Sequence, residues 1–215
     1  MAGDKTSRDW AAWHEFYDDP QSSLSQRLAL VQSHLSAALD AAPPGPIRLL
    51  SLCAGQGRDV LSVLPRHARR GDVTAVLVES DPRIAATARD QAVAAGLAGT
   101  IDVREGDAAM PAVYADALPA DVLLLCGIFG NVADGDIRRT ALAAAAMGRA
   151  GTTVIWTRHR RPPDLTPQIR SWFADAGFGE VAFESPDNET KTGVGVHRLR
   201  ATRGRLPTGP LFEFR

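Results

Sequence analysis

Apolar and polar positions change in blocks along this chain, and the blocks predict strands that alternate with helices. From residue 47 onward, short apolar runs typical of strands buried on both faces are separated by longer segments with helical spacing. The predicted strands cover residues 47–53, 73–78, 100–104, 121–125, 152–157, 180–184 and 194–199. Such alternation is typical of an α/β protein with a parallel sheet and helices on both faces.

Start and stop signals support the helices between these strands. Asp81 followed by Pro82 is typical of a helix N-cap with proline in the first turn, and Gly96 is expected to end this helix. The last helix begins near Thr166 and ends near Gly177, with apolar residues on one face. The predicted helices cover residues 59–64, 82–95, 136–147 and 166–176.

The chain before the first predicted strand is expected to form a helical cap. Apolar side chains recur at helical spacing within residues 8–40, and segment 41–46 then places three prolines in four residues, which cannot continue a helix. We therefore divide the chain into an N-terminal helical cap or lid, residues 1–42, and an α/β domain, residues 47–215. The aromatic residues of the cap either cover a ligand or pack on the core; they are Trp10, Trp13, Phe16 and Tyr17.

Composition narrows the class of protein. The formal net charge is −1 over 215 residues, whereas dedicated nucleic-acid binders usually carry a basic excess. The two cysteines, Cys53 and Cys126, form no CxxC pair, so we expect neither a disulfide framework nor a metal site. The first 30 residues do not resemble a signal peptide, and no apolar run has membrane-spanning length. We expect a cytoplasmic protein that binds neither nucleic acid nor a membrane.

Glycines and carboxylates follow three successive predicted strands. Gly55 and Gly57 follow the first strand, where the absence of Cβ lets a ligand lie against the backbone. Glu79 ends the second strand and could accept hydrogen bonds from both hydroxyls of a ribose. Asp107 follows the third strand and could accept one from an adenine amino group. Each feature alone also suits an ordinary turn, but together they match an adenosine that carries a charged tail.

These segments resemble the motifs of the class I S-adenosylmethionine (SAM)-dependent methyltransferases, and the resemblance spans residues 47–200. The four segments similar to successive family motifs are residues 50–59, 78–82, 106–108 and 121–131. The resemblance implies an α/β, doubly wound, mostly parallel seven-stranded sheet with an antiparallel C-terminal hairpin and an N-terminal helical cap. It also implies SAM as the cofactor.

The resemblance assigns residues to parts of that cofactor. The implied contacts are Ala54, Gly55 and Gly57 along the methionine and ribose portions, Glu79 at the ribose, Asp107 and Ala108 at the adenine edge, and Cys126 with Gly127 beside the sulfonium. Ser80, next to Glu79, is a further implied contact with the cofactor. Two positions depart from the family pattern. Ser51 stands where an acidic residue is common, which weakens the expected grip on the methionine ammonium, and Cys53 stands where a third glycine is common.

Residues after the fourth and fifth predicted strands are candidates for acceptor chemistry. His159 is the candidate general base, because an imidazole titrates near neutrality; the alternative is a surface histidine in a basic loop. Arg158, Arg160 and Arg161 either receive an anionic substrate or form a solvated charge run. The loop after the fourth strand lacks the Asn/Asp-Pro-Pro-aromatic signature of methylases that modify amino groups, which makes DNA a poor candidate substrate.

We therefore predict a SAM-dependent methyltransferase that acts on a small-molecule methyl acceptor. Two alternatives stay open. An NAD(P)-binding oxidoreductase would favour a small residue at the third position of a GxGxxG turn, where this chain has Val60. A non-catalytic SAM-binding partner or sensor would share the fold and have no catalytic base.

Overall fold

The computed structural model describes residues 19, 22–185 and 192–215. The aromatic part of the predicted cap and most of the predicted polar loop at 186–193 lie outside these residues. The helices are α1 (Ser23–Asp40), α2 (Arg58–Val63), α3 (Pro82–Ala94), α4 (Asp134–Met147) and α5 (Thr166–Asp175). The strands are β1 (Ile47–Leu52), β2 (Val73–Glu79), β3 (Ile101–Glu105), β4 (Ala120–Leu125), β5 (Gly148–His159), β6 (Phe178–Glu184) and β7 (Thr192–Leu199).

The strands form one seven-stranded sheet in the order β3-β2-β1-β4-β5-β7-β6. Neighbours from β3 through β5 pair in parallel, whereas β7 lies antiparallel between β5 and β6. The predicted doubly wound α/β sheet with an antiparallel C-terminal pair is therefore confirmed. Strand order reverses between β1 and β4, so the loops that follow these two strands diverge and leave a crevice at their carboxyl ends.

Each face of the sheet is packed by its own helices, because successive residues of a strand point to opposite sides. Trp156 of β5 lies in the cluster that contains Phe129 and residues of α4 and α5, such as Phe173. Ile155, the preceding residue, lies in the cluster that contains residues of α1, α2 and α3. Burial on both faces explains why the central strands appear in the sequence as continuous apolar runs.

Helix α1 is part of the core and also one wall of the crevice. Its N-cap Ser22 accepts a hydrogen bond from the amide of Ser25 at 3.1 Å, and Val31, Leu35 and Leu39 are buried against the sheet. Among the described residues, no helix is both long and apolar enough to cross a membrane.

Two features differ from the sequence expectation. Strand β5 begins at Gly148, four residues before the predicted start, because Gly148 pairs with Ala120 and Thr152 Oγ1 donates to the Ala120 carbonyl at 2.6 Å. The segment 206–215, which the sequence pattern does not place, packs onto the domain: Leu211 and Phe212 are buried. An isolated bridge between Phe214 and Val132 brings this segment to the loop after β4.

Candidate cofactor-binding cleft

A cleft of about 220 Å³ opens at the carboxyl ends of β1, β2 and β4, at the reversal of strand order. Helix α1 contributes Arg27, Leu28 and Val31 to one wall. Phe214, from the segment after β7, contributes to another. The cleft is therefore built from distant parts of the chain, and the sheet topology brings them together.

The turn after β1 forms the floor of the cleft and depends on an unusual backbone. Gly57 has a φ of +70°, and a Cβ atom there would lie 2.8 Å from the side chain of Leu77. Its amide donates to the Ala54 carbonyl at 2.9 Å, which closes the turn. Cys53 also has a positive φ, +54°, which glycine adopts more readily. Cys53, which stands where the methyltransferase family commonly has glycine, therefore has the left-handed backbone conformation that glycine favours.

Glu79, at the tip of β2, is tied to the turn after β1. Its Oε2 accepts a hydrogen bond from the Gly55 amide at 2.9 Å, and its Oε1 accepts from the amides of Ser80 and Asp81 at 2.9 and 3.0 Å. A carboxylate has about four acceptor positions. These three amides fix the carboxylate in the cleft wall and leave acceptor capacity on Oε2.

The loop after β3 lies at the same sheet edge but outside the cleft wall. The Gly106 amide donates to the Glu79 carbonyl at 2.9 Å, which holds this loop against the tip of β2. Asp107 is exposed and accepts from the Ala109 amide at 2.9 Å, whereas Ala108 is buried in the core. Of the predicted cofactor contacts before β4, Asp107, Ala108 and Gly57 do not line the cleft, whereas Ala54, Gly55, Glu79 and Ser80 do.

Cys126 and Gly127, directly after β4, line the opposite side of the cleft. The Gly127 amide donates to Thr157 Oγ1 of β5 at 2.9 Å, and Asn131 Nδ2 donates to the Gly127 carbonyl at 2.8 Å. Burial raises the pKa of the Cys126 thiol, and the charge of Asp59 raises it further. The thiol is therefore neutral near pH 7 and unsuited to act as a nucleophile.

Asp59, in the first turn of α2, is a cleft residue that the sequence analysis did not single out. It is 7 % exposed and lines the cleft together with Cys126 and Arg27. Burial raises the pKa of its carboxyl to about 6. The hydrogen bond that the carboxylate accepts from the Val60 amide and the charge of Arg27 lower the pKa, but by less than burial raises it. Its position two residues after Gly57 is the sequence signal that could have identified it.

Solved structures with this architecture are numerous, although the sequence matches no protein-family model and no curated protein. An O-methyltransferase family protein from Burkholderia thailandensis has a TM-score of 0.68 at 17 % identity, covering 91 % of this chain and 62 % of that one. This chain thus spans less than two thirds of that protein's length. Magnesium protoporphyrin IX methyltransferase from Synechocystis PCC 6803, solved with bound SAM, has a TM-score of 0.67 at 12 % identity, covering 90 % and 92 %.

The chain has the class I methyltransferase fold. The [4+2]-cyclase SpnF is also similar, with a TM-score of 0.63 at 16 % identity over 85 % of each chain. Since a protein described as a cyclase is similar to this chain as well, the class I methyltransferase fold does not by itself fix the reaction. The chemistry has to be inferred from the side chains at the carboxyl edge of the sheet.

In this class I methyltransferase fold, the basic run after β5 is largely engaged within the protein. Arg158 donates to the Phe129 carbonyl, and Arg160 pairs with Asp164 at 3.0 Å between Nε and Oδ2. Arg161 is exposed. Two of the three arginines that could receive an anionic substrate are thus already held by protein acceptors.

His159 lies at the end of β5 beside the loop that follows β4. A Cβ atom built on Gly130 would lie 3.7 Å from His159 Cδ2, and Nδ1 is buried without a hydrogen-bond partner among the described residues. Burial lowers the pKa of His159, and the charges of Arg158 and Arg161 lower it further. His159 does not line the cleft; it lies two residues, about 7 Å along the strand, beyond Thr157.

Proposed function

We propose that this protein is a SAM-dependent methyltransferase that acts on a small molecule. The observation that carries the proposal is the cleft at the reversal of strand order, with the amide-held carboxylate of Glu79 at one end and the bare backbone of Gly127 at the other. Clefts in this position are where open α/β sheets bind their ligands. The similar protoporphyrin methyltransferase was solved with SAM bound, which supports the choice of ligand.

The candidate cofactor residues divide into four sets along the proposed cofactor. Glu79 Oε2, already oriented by the Gly55 amide, would accept a hydrogen bond from a ribose hydroxyl, with Ser80 beside it. Asp107 and Ala108 would meet the adenine edge, beyond the cleft wall as it stands. Ala54 and Gly55 would face the methionine and ribose portions, with buried Gly57 closing the turn behind them. Cys126 and Gly127 would face the sulfonium.

SAM, when bound, supplies a methyl group on a sulfonium that leaves readily as a thioether. The contribution of this chain would then be chiefly positioning, which can lower a barrier by ~7–11 kcal/mol when reactants are well aligned. His159 is the proposed general base. Its lowered pKa keeps the imidazole neutral near pH 7, and Nδ1, which has no hydrogen-bond partner among the described residues, could accept a proton from a methyl acceptor that reaches it.

The engaged arginines support a small acceptor over a nucleic acid. Recognition of a phosphate backbone needs several accessible basic side chains. After β5, Arg158 and Arg160 instead bind Phe129 and Asp164. The proposed cap, residues 1–42, would limit access to the cleft as a lid, since Arg27, Leu28 and Val31 of α1 already line it.

Calorimetric titration with SAM, S-adenosylhomocysteine (SAH) and NAD⁺ tests the cofactor. We expect SAM and SAH to bind with micromolar affinity and NAD⁺ to give no heat of binding. Binding of NAD⁺ alone would favour an oxidoreductase, and binding of none of the three would reject the proposal.

Methyl-labelled SAM, incubated with the protein and a cell extract, then tests the acceptor class. The label is expected in the low-mass fraction. Label confined to RNA or protein would reject the small-molecule assignment, and SAM binding without any transfer would favour a non-catalytic sensor.

A further inference from the structure

The fold holds the Asp59 carboxylate at a fixed place in the cleft wall. Val60 and Leu61, the two residues that follow it, are buried in the core. The side-chain amide of Gln32 on α1 donates to the Arg58 carbonyl at 2.9 Å, which ties the start of α2 to the neighbouring helix. Asp59 itself is 7 % exposed and lines the cleft. The position of this carboxylate is therefore set by the packing of α2 and does not depend on a ligand.

The Asp59 carboxylate accepts fewer hydrogen bonds than it could. Its Oδ1 accepts from the Val60 amide at 2.8 Å, and no side chain among the described residues donates to either oxygen. A carboxylate has about four acceptor positions. Burial raises the pKa of Asp59 to about 6, and the charge of Arg27 lowers the pKa by less. Within the described part of the chain, the carboxylate therefore lacks a partner that offsets the cost of burying its charge.

Asp59 and Glu79 lie at different places in the cleft. Glu79 ends β2 and Cys126 follows β4, and β1 separates these two strands in the sheet. Burial and then the charge of Asp59 raise the pKa of the Cys126 thiol, whereas burial and then the charge of Glu79 raise that of the Cys53 thiol. Asp59 therefore lies on the side of β4. In the proposed cofactor orientation Glu79 meets the ribose, so Asp59 faces the sulfur and the amino-acid tail beyond it.

We propose that Asp59 accepts hydrogen bonds from the α-ammonium of the amino-acid tail of SAM, so that the cleft selects ligands that carry this tail. An ammonium donates three hydrogen bonds and brings the positive charge that the buried carboxylate lacks. The sulfonium has no N–H or O–H group to donate, so the unused acceptor positions favour the ammonium, which a short carbon chain joins to the sulfur. This inference rests on the proposed function and adds to it a residue that recognises the tail.

The test compares the dissociation constants of SAM, SAH and 5′-methylthioadenosine (MTA) for the wild-type protein and for Asp59→Asn. MTA keeps the adenosine and the thioether of SAH but has no amino-acid tail. At pH 7.5, where Asp59 is charged, Asp59→Asn is expected to weaken SAM and SAH binding by the same factor, about tenfold to a hundredfold, the range for a lost hydrogen bond between charged groups. Binding of MTA is expected to change less than about twofold.

Asp81→Asn is the matched control. Asp81 also lines the cleft, but its Oδ2 is paired with Arg83 Nη2 at 2.8 Å. The control therefore makes the same change of charge in the cleft without removing the Asp59 carboxylate. The ratio of the SAH and MTA dissociation constants is expected to stay at its wild-type value. Thermal unfolding of each variant shows that the compared proteins are folded, and Asp59→Ser provides a second measurement should Asp59→Asn be unstable.

Unchanged SAH binding in Asp59→Asn, or equal weakening of SAH and MTA, would overturn the inference while leaving the proposed function intact. A loss of SAM binding much larger than the loss of SAH binding would also overturn it, because Asp59 would then act on the sulfonium. The same holds for a wild-type protein that binds MTA as tightly as SAH. Failure of the wild-type protein to bind either SAM or SAH would instead reject the proposed function.

Discussion

The amide of Gly55 and the carboxylate of Glu79 are joined by a 2.9 Å hydrogen bond across two neighbouring strands. This bond closes the turn after β1 against the tip of β2. The carboxylate is therefore oriented before any ligand arrives, and an interaction with a ribose would not require it to be ordered on binding.

Replacement of Glu79 tests this arrangement. Glu79→Ala is expected to weaken SAH binding by about 1–3 kcal/mol, the range for a lost hydrogen bond to a charged group. Glu105→Ala is the matched control, because Glu105 pairs with Glu79 in the sheet register but is exposed and outside the cleft. Calorimetric titration measures both. Equal affinities for the two variants would contradict the assignment of Glu79 to the cofactor.

Cys53 should tolerate glycine better than a branched side chain. At φ +54° its Cβ is crowded against the backbone, and a β-branched residue is a strong outlier in this region. We expect Cys53→Gly to change the free energy of unfolding by less than about 1 kcal/mol and Cys53→Val to lower it by more than about 2 kcal/mol. Urea denaturation gives both values. Cys126→Val is the control at a negative φ, and a loss there as large as in Cys53→Val would rule out backbone strain as the cause.

Asp59 should make the protein less stable as the pH rises. The pKa of its buried carboxyl is raised from 3.8 to about 6, so the folded state binds the proton more tightly than the unfolded state does. The free energy of unfolding is therefore expected to fall by up to about 3 kcal/mol as the pH rises from about 4 to 6. Asp59→Asn is expected to be more stable than wild type at pH 7.5, and the difference should vanish near pH 4.

Urea denaturation across this pH range checks the prediction. Asp90→Asn, at an exposed site on α3, should show no such pH-dependent gain. If Asp59→Asn is more stable than wild type by the same amount down to pH 4, burial of the Asp59 charge is not the cause of the added stability.

His197 should give the opposite slope. It is 1 % exposed, its Nδ1 accepts a hydrogen bond from Trp156 Nε1 at 3.2 Å, and burial lowers its pKa to about 4. The unfolded state takes up a proton near pH 6.5 and the folded state does not, so stability is lost as the pH falls from about 6.5 to 4, by about 3 kcal/mol. His197→Gln, which keeps an acceptor for Trp156, should flatten this part of the profile. Near-UV circular dichroism follows the transition, and an unchanged slope would contradict the role of His197.

The sequence alone predicted the fold because its signals are local. Each signal depends on a few neighbouring residues: an apolar run for a strand buried on both faces, Asp81-Pro82 for the start of a helix, and Gly96 for its end. The structure agrees with each of them, and Gly96 has a positive φ. The start of β5 was missed because the pairing of Gly148 with Ala120 joins residues far apart in the chain. Arg149, Ala150 and Gly151, which follow Gly148 in β5, are exposed, so no apolar run marks this part of the strand.

The candidate site divides in the same way. The sequence indicated the glycine turn, Glu79 and Gly127, because residues after strand ends share one edge of a parallel sheet. Only the tertiary structure shows that Arg27 and Phe214 line the cleft. It also shows that Asp59 is buried in the cleft wall and that Asp107 lies outside the cleft. Burial and contact between distant segments depend on how helices and tail pack over the sheet, and that packing is a property of the whole chain and not of any local pattern of residues.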